Sequence, residues 1–141
     1  MAVRTDGTPT SVTMPRRTLL GRALSANALF SGTSGLVLLV GASGLDGWLG
    51  VDARVLAGIG AGLMLYAIVL SIWARSQTWL RRGGVFAIAG DSLWVAGAVA
   101  LIALTSVLTT AGEVALGVVT IAVAAFAVIQ VIGVVRLDER Y

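Results

Sequence analysis

The sequence predicts an all-α integral membrane protein, an up-down-up-down bundle of four helices with short loops. Three observations predict this class. Only 12% of the 141 residues are charged and 57% are hydrophobic, whereas a water-soluble domain carries about 25% charged residues. Four apolar runs are each long enough to cross the roughly 30 Å hydrocarbon core of a bilayer, which needs about 20 helical residues. The polar breaks between the runs are short, so consecutive helices are expected to be antiparallel neighbours.

The apolar runs place the spans at about residues 19–42, 55–74, 85–108 and 114–135. The first break, Ser43 to Arg54, holds three Gly, two Asp and one Trp, which is typical of a hairpin at the headgroup level. The second, Arg75 to Gly84, holds three Arg, and the third runs only from Thr109 to Glu113. We therefore expect one four-helix transmembrane domain over residues 16–141.

Residues 1–15 are rich in Thr, Ser, Gly and Pro and show no apolar period. Such a segment does not bury enough apolar surface to order itself. It is predicted to be a disordered cytoplasmic tail.

The arginines predict the orientation. Nine of the ten fall in the tail, at the start of span one, in the second break or at the C-terminus, and Arg54 alone lies on the other side. By the positive-inside rule both termini are expected in the cytoplasm, in a multi-pass protein of a bacterial cytoplasmic (inner) membrane. The net charge of +3 then describes a basic surface that faces anionic lipid. Membrane lipids are the expected partners and nucleic acid is not, since its recognition needs a folded basic face with groups that read bases.

The missing residue types exclude most chemistry. The sequence has no His and no Cys, and all ten of its basic residues are Arg. Zinc sites built on imidazole or thiolate, ordinary haem ligation, Schiff bases on lysine and Ser-His-Asp or Cys-His nucleophiles are therefore excluded. We expect no catalytic residues, no metal site, no cofactor and no enzymatic activity.

The polar residues within the spans are the candidate functional residues, because each needs a partner away from lipid. Span one carries Asn27, Ser31 and Ser34 on one helical face, span three carries Asp91 and span four carries Gln130. At 1.5 Å per residue Asn27, Asp91 and Gln130 lie in the inner half of the bilayer, as does Ser71 of span two. The sequence therefore predicts a polar cluster of Asn27, Asp91 and Gln130, with Ser31, Ser71 and Ser92 nearby.

Asp91 has two predicted partners and two interpretations. Arg22, about one turn shallower on span one, could pair with it, or Asn27 could donate amide hydrogens. In the first interpretation Asp91 and Asn27 form a structural tie between helices. In the second, Asp91 is a proton- or cation-coupling site in a crevice that water can reach.

Small and aromatic residues predict packing surfaces. Gly58 and Gly62 form a GxxxG pair in span two, which permits close helix approach. Trp94 lies between two glycines in span three. It is expected either to pack into a neighbour's groove or to form, with Tyr66 and Phe30, a wall for a lipid, quinone or aromatic ligand.

The stretch from Ala23 to Leu36, followed later by Asp91-Ser92-Leu93-Trp94, resembles small four-span bacterial integral membrane proteins whose activity is uncharacterised. The resemblance covers residues 16–135 and implies the four-span fold without implying an activity. The expected function is that of a small accessory or interaction subunit, in a homo-oligomer or a larger membrane complex. Two alternatives stay open: a small proton- or cation-coupled transporter that uses Asp91, and a lipid or hydrophobic-ligand binding protein.

Overall fold

A computed structural model describes residues 18–139, which form four α-helices joined by short connections. The helices are α1 (Leu19–Leu49), α2 (Ala53–Arg75), α3 (Leu80–Leu104) and α4 (Thr110–Asp138). Each is long and apolar enough to cross a membrane, so the predicted all-α, four-span fold class is confirmed. The tail predicted over residues 1–15 lies outside the described residues.

The helices differ from the predicted spans mainly at their ends. α1 continues seven residues past residue 42, through a segment that was expected to be a hairpin, and ends at Leu49 with Gly50 as its C-cap. Gly50 takes a left-handed conformation (φ 79°) and donates its backbone N–H to the Asp46 carbonyl. The two earlier glycines of the segment, Gly44 and Gly47, stay helical because a helical glycine costs only about 1 kcal/mol relative to alanine.

α3 is displaced towards the N-terminus relative to the predicted span. It begins at Leu80, so Arg81 and Arg82 are helical, and it ends at Leu104 because Thr105 is extended. α4 then begins after Thr109, whose hydroxyl accepts the N–H of Gly112 at 3.1 Å as an N-cap. Charged residues thus mark the edge of the apolar region, whereas capping residues mark where the helices end.

The helices are arranged as a four-membered bundle in which α1 contacts α2 most extensively and also lies against α4, while α3 lies diagonally across from it. The α1–α2 crossing is closest at Gly35 and Gly60. A Cβ atom on Gly60 would lie 2.7 Å from the Gly35 carbonyl oxygen, and one on Gly35 would lie 2.8 Å from the Gly60 carbonyl oxygen. By contrast, Gly58 and Gly62 have open space around them. The predicted GxxxG pair therefore does not mediate close packing within the described bundle.

An apolar cluster fills the bundle near the arginine-bearing helix ends. It is centred on Leu20, Leu24, Leu70, Leu80 and Ala87. α1 and α4 approach closely here, since a Cβ on Gly133 would lie 3.0 Å from the Leu20 Cβ. We call this group the leucine plug, because it closes the interior between these helix ends and the polar residues that lie deeper in the bundle.

Candidate functional site

Each of the four helices contributes one polar side chain to a hydrogen-bonded cluster centred on Asp91. The Asn27 amide nitrogen of α1 donates to Asp91 Oδ2 at 2.7 Å, and the Gln130 amide nitrogen of α4 donates to the same oxygen at 3.1 Å. The Tyr66 hydroxyl of α2 donates to Asp91 Oδ1 at 2.9 Å. One carboxylate on α3 therefore accepts hydrogen bonds from all three other helices.

The cluster lies in the bundle interior at one depth. Asn27 and Gln130 are fully buried and Asp91 is 3% exposed. The four side chains lie eight to eleven residues from the arginine-bearing ends of their helices, which is about 12–16 Å at 1.5 Å per residue. An ionisable group at such a position in a membrane protein is costly and is a functional-site candidate by default.

Asn27 is held in one orientation by its own helix. The Ser31 hydroxyl, one turn further along α1, donates to Asn27 Oδ1 at 3.1 Å, so the amide nitrogen points to Asp91. Gln130 lacks a corresponding partner, because its carbonyl oxygen Oε1 is buried without a hydrogen bond among the described residues. The two amides that contact Asp91 are thus restrained to different degrees.

Asp91 contacts no charged side chain within residues 18–139. Of the two predicted partners, the structure shows Asn27, while Arg22 is exposed. The ion pair in this part of the chain joins Arg81 and Asp138, on the exposed surface. The hydrogen bonds on Asp91 come from two amides and a phenol, which are neutral donors.

The other predicted site residues divide into those near Asp91 and those away from it. Ser31 lies beside the cluster and donates a hydrogen bond to Asn27. Ser92 is exposed, and Ser71 lines a separate groove of about 690 Å³ beside Arg75, between α1 and α2. Sequence reasoning missed the hydrogen bond from Tyr66, which was expected only as a wall residue. Its depth matched that of Asp91, but nothing in the sequence gave the rotation of α2 that turns it inwards.

A partly enclosed cavity of about 140 Å³ lies against the cluster. All four helices line it, and its wall includes Asp91 and the three predicted wall residues Phe30, Tyr66 and Trp94. The remaining wall is mostly apolar, with Leu63 and Val123 among its residues. The indole N–H of Trp94 is buried and has no hydrogen-bond partner among the described residues.

Gly90 determines how closely α2 and α3 approach beside the cavity. A Cβ atom on Gly90 would lie 3.1–3.2 Å from the ring and hydroxyl of Tyr66. The missing side chain therefore leaves room for the tyrosine hydroxyl to reach Asp91.

Within residues 18–139 no group of three or more His, Cys, Asp or Glu side chains could hold a metal ion. Comparisons with protein families, with curated proteins and with solved structures found no match. The fold and the site together define the class: a four-helix, multi-pass membrane protein whose interior contains a carboxylate hydrogen-bonded to every other helix.

Proposed function

We propose that this chain is a non-enzymatic accessory or interaction subunit whose four helices are tied into one unit by the Asp91 cluster. The observation that carries the proposal is the convergence of Asn27, Tyr66 and Gln130 on one carboxylate. Hydrogen bonds between membrane helices contribute about 0.6 kcal/mol on average and up to about 1.7 kcal/mol. Three of them on one residue oppose separation of α3 from any of its neighbours.

An accessory role is tested by the state of the protein in its native membrane. We expect a mild-detergent extract to contain the chain in a complex of fixed stoichiometry, resolved on a native gel, which Asp91→Ala disrupts. Ser92→Ala, on the adjacent exposed residue, is the matched control and should leave the complex intact. A wild-type chain that migrates alone, or that turns over a lipid or quinone unaided, would contradict the proposal.

The proposed location is a bacterial inner membrane with both termini in the cytoplasm. The arginines at 22, 75, 81, 82 and 136 support it, because they lie at the same end of the bundle, with Arg54 at the other. The sequence has no Cys, so a single introduced cysteine is the one thiol in the chain that a maleimide can label. In intact cells an impermeant maleimide should label Ser106→Cys and should label Thr78→Cys only after permeabilisation. The reverse pattern would invert the orientation.

A second candidate function is a small proton- or cation-coupled transporter that uses Asp91. The cavity favours it, because Asp91 forms part of the cavity wall and its hydrogen-bond donors are neutral. In proteoliposomes loaded with a pH-sensitive dye, wild-type protein should conduct protons or exchange them for a cation, and Asp91→Asn should abolish the flux without unfolding the bundle. If Asp91→Asn changes only thermal stability, the carboxylate is structural.

A third candidate is a lipid or hydrophobic-ligand binding protein. Phe30, Tyr66 and Trp94 favour it because all three line the same cavity. Native mass spectrometry should then detect a bound ligand that wild-type protein retains and Trp94→Ala loses. Equal retention by both proteins would place the ligand elsewhere.

A further inference from the structure

We infer that the cavity beside Asp91 is a binding site for one small organic cation that carries a hydrogen-bond acceptor, an alkylammonium ion of about six or seven non-hydrogen atoms. The inference deepens the second candidate function and rests on it in one respect: Asp91 is the negative charge that the ligand neutralises. Charge, wall chemistry, size and an unpaired donor each contribute to the assignment.

The charge follows from the partners of Asp91. An ionised carboxylate away from water needs a compensating positive charge, since neutral hydrogen bonds alone leave its charge in a medium of low dielectric constant. Within residues 18–139 its side-chain partners are Asn27, Tyr66 and Gln130, which are neutral. A monovalent cation in the adjoining cavity would supply that charge. A calcium ion fits poorly, because it needs six to eight oxygen ligands.

The residues of the cavity wall favour an organic cation over an inorganic one. Three aromatic side chains, Phe30, Tyr66 and Trp94, line the cavity that Asp91 also lines. Aromatic rings attract ammonium groups within about 6 Å of the ring centre and are the usual surroundings of quaternary ammonium ligands in proteins. A hydrated inorganic ion would face a wall that is mostly apolar, whereas methyl groups on nitrogen pack well against such a wall.

The volume limits the size of the ligand. The cavity measures about 140 Å³, close to the roughly 150 Å³ of an engineered protein cavity that accommodates benzene. A ligand of about six or seven non-hydrogen atoms therefore fits, and a drug-sized molecule does not.

Trp94 adds a specific polar feature. Its indole N–H is buried without a partner among the described residues, and a buried donor without an acceptor costs free energy. A hydroxyl or ether oxygen on the ligand would accept this hydrogen once a rotation of the indole ring brings the N–H to the cavity surface. The site thus pairs a carboxylate for the ammonium group with a donor for an oxygen atom on the same molecule.

The cavity lies on one side of the cluster. Most of its lining residues, such as Ser34 on α1 and Val119 on α4, lie further from the arginine-bearing ends than the cluster residue of the same helix. The leucine plug occupies the opposite side. The cation would therefore enter from the bilayer interior or from the membrane face opposite the arginines.

Choline, with seven non-hydrogen atoms, one quaternary nitrogen and one hydroxyl, is the probe. Binding is measured by titration calorimetry on the purified full chain in a maltoside detergent, which carries no ammonium group. We expect saturable one-to-one binding of choline and at least about tenfold weaker binding of 3,3-dimethylbutan-1-ol, its uncharged carbon isostere. Equal affinity for the two compounds, or no saturable binding of choline, overturns the inference.

Two variants test whether Asp91 supplies the negative charge and Trp94 the hydrogen-bond donor. Asp91→Asn should lower choline affinity by about tenfold or more while the affinity for the uncharged isostere stays the same. Trp94→Phe keeps an aromatic ring and removes the N–H, so it should weaken choline binding by a larger factor than tetramethylammonium binding, which loses only part of the attraction to the ring. Ser92→Ala and Trp48→Phe, at exposed positions, are the matched controls. Should Asp91→Asn fail to fold, the wild-type comparison of choline with its isostere and the Trp94→Phe result still decide the inference.

The same measurements separate this inference from the transporter proposal. Choline binding without flux in proteoliposomes supports the site and counts against transport. Proton flux that depends on Asp91, in a protein with no choline or tetramethylammonium binding, overturns the organic-cation site and leaves the transporter candidate standing.

Discussion

Asn27 and Asp91 are 64 residues apart in sequence, and their side chains meet at 2.7 Å in the interior of the bundle. Their helices, α1 and α3, lie on a diagonal and touch little elsewhere. This hydrogen bond therefore joins the two halves of the bundle, α1–α2 and α3–α4, across its centre.

Asn27→Ala should destabilise the protein by about 1–2 kcal/mol, because it leaves Asp91 without its shortest hydrogen bond and the Ser31 hydroxyl without its acceptor. Reversible unfolding of the purified protein in a mixed detergent measures the change. Ser43→Ala, at an exposed position on the same helix, should change stability by less than about 0.5 kcal/mol. Equal effects of the two substitutions would show that the diagonal bond contributes nothing measurable.

Gln130→Met should be milder than Asn27→Ala, although both remove one hydrogen bond to the same carboxylate oxygen. The Gln130 side chain carries a buried carbonyl without a hydrogen bond among the described residues, and methionine removes that cost together with the hydrogen bond. We expect a net change within about 1 kcal/mol. A loss larger than that of Asn27→Ala, measured by the same unfolding assay, would mean that the carbonyl has a partner after all.

Gly90 and Tyr66 should be energetically coupled. Tyr66→Phe removes the hydroxyl that reaches Asp91 and should cost about 0.5–1.5 kcal/mol. Gly90→Ala displaces the same ring. The double variant should therefore lose less stability than the sum of the two single losses, by about 0.5 kcal/mol or more. A double-mutant cycle measures this coupling. Gly97→Ala, where the structure leaves open space, is the control, and strict additivity would argue against the contact.

Gly60→Ala should separate α1 from α2. The new Cβ would lie 2.7 Å from both the Gly35 carbonyl oxygen and the Leu39 nitrogen, and relieving such overpacking typically costs about 1–3 kcal/mol. Gly58→Ala and Gly62→Ala, two residues away on either side and facing open space, should be neutral in the same unfolding assay. If Gly58→Ala and Gly62→Ala were destabilising and Gly60→Ala were not, Gly58 and Gly62 would mediate contact with another chain.

The depth of the cluster could be predicted from sequence because helical rise is fixed. Counting residues from the arginine-bearing ends was enough to place Asn27, Asp91 and Gln130 at one level. The rotation of each helix was harder to predict, since lipid and neighbouring helices are both apolar and hydrophobicity does not distinguish the faces. For this reason Tyr66 was assigned only to a wall, and the packing glycines of α2 were placed at 58 and 62 instead of 60.

The predicted helix ends were wrong for a different reason. Hydropathy reports where the chain leaves the hydrocarbon region, whereas a helix ends where its backbone groups find other partners. The left-handed Gly50 and the Thr109 cap supply those partners. Gly50 lies eight residues past the predicted end of span one, and Thr109 lies five residues before the predicted start of span four.

The close approach of Leu20 and Gly133 brings the first helix beside the last. The two ends of the four-helix segment therefore lie next to each other. The order of the four helices along the chain is then not essential to the architecture. A circular permutant with new ends between residues 76 and 79, and a flexible linker from residue 139 back to residue 18, would keep every helix in its original direction. We expect it to fold with the same hydrogen bonds on Asp91, and its unfolding would show whether the bundle depends on its loops or on its interior contacts.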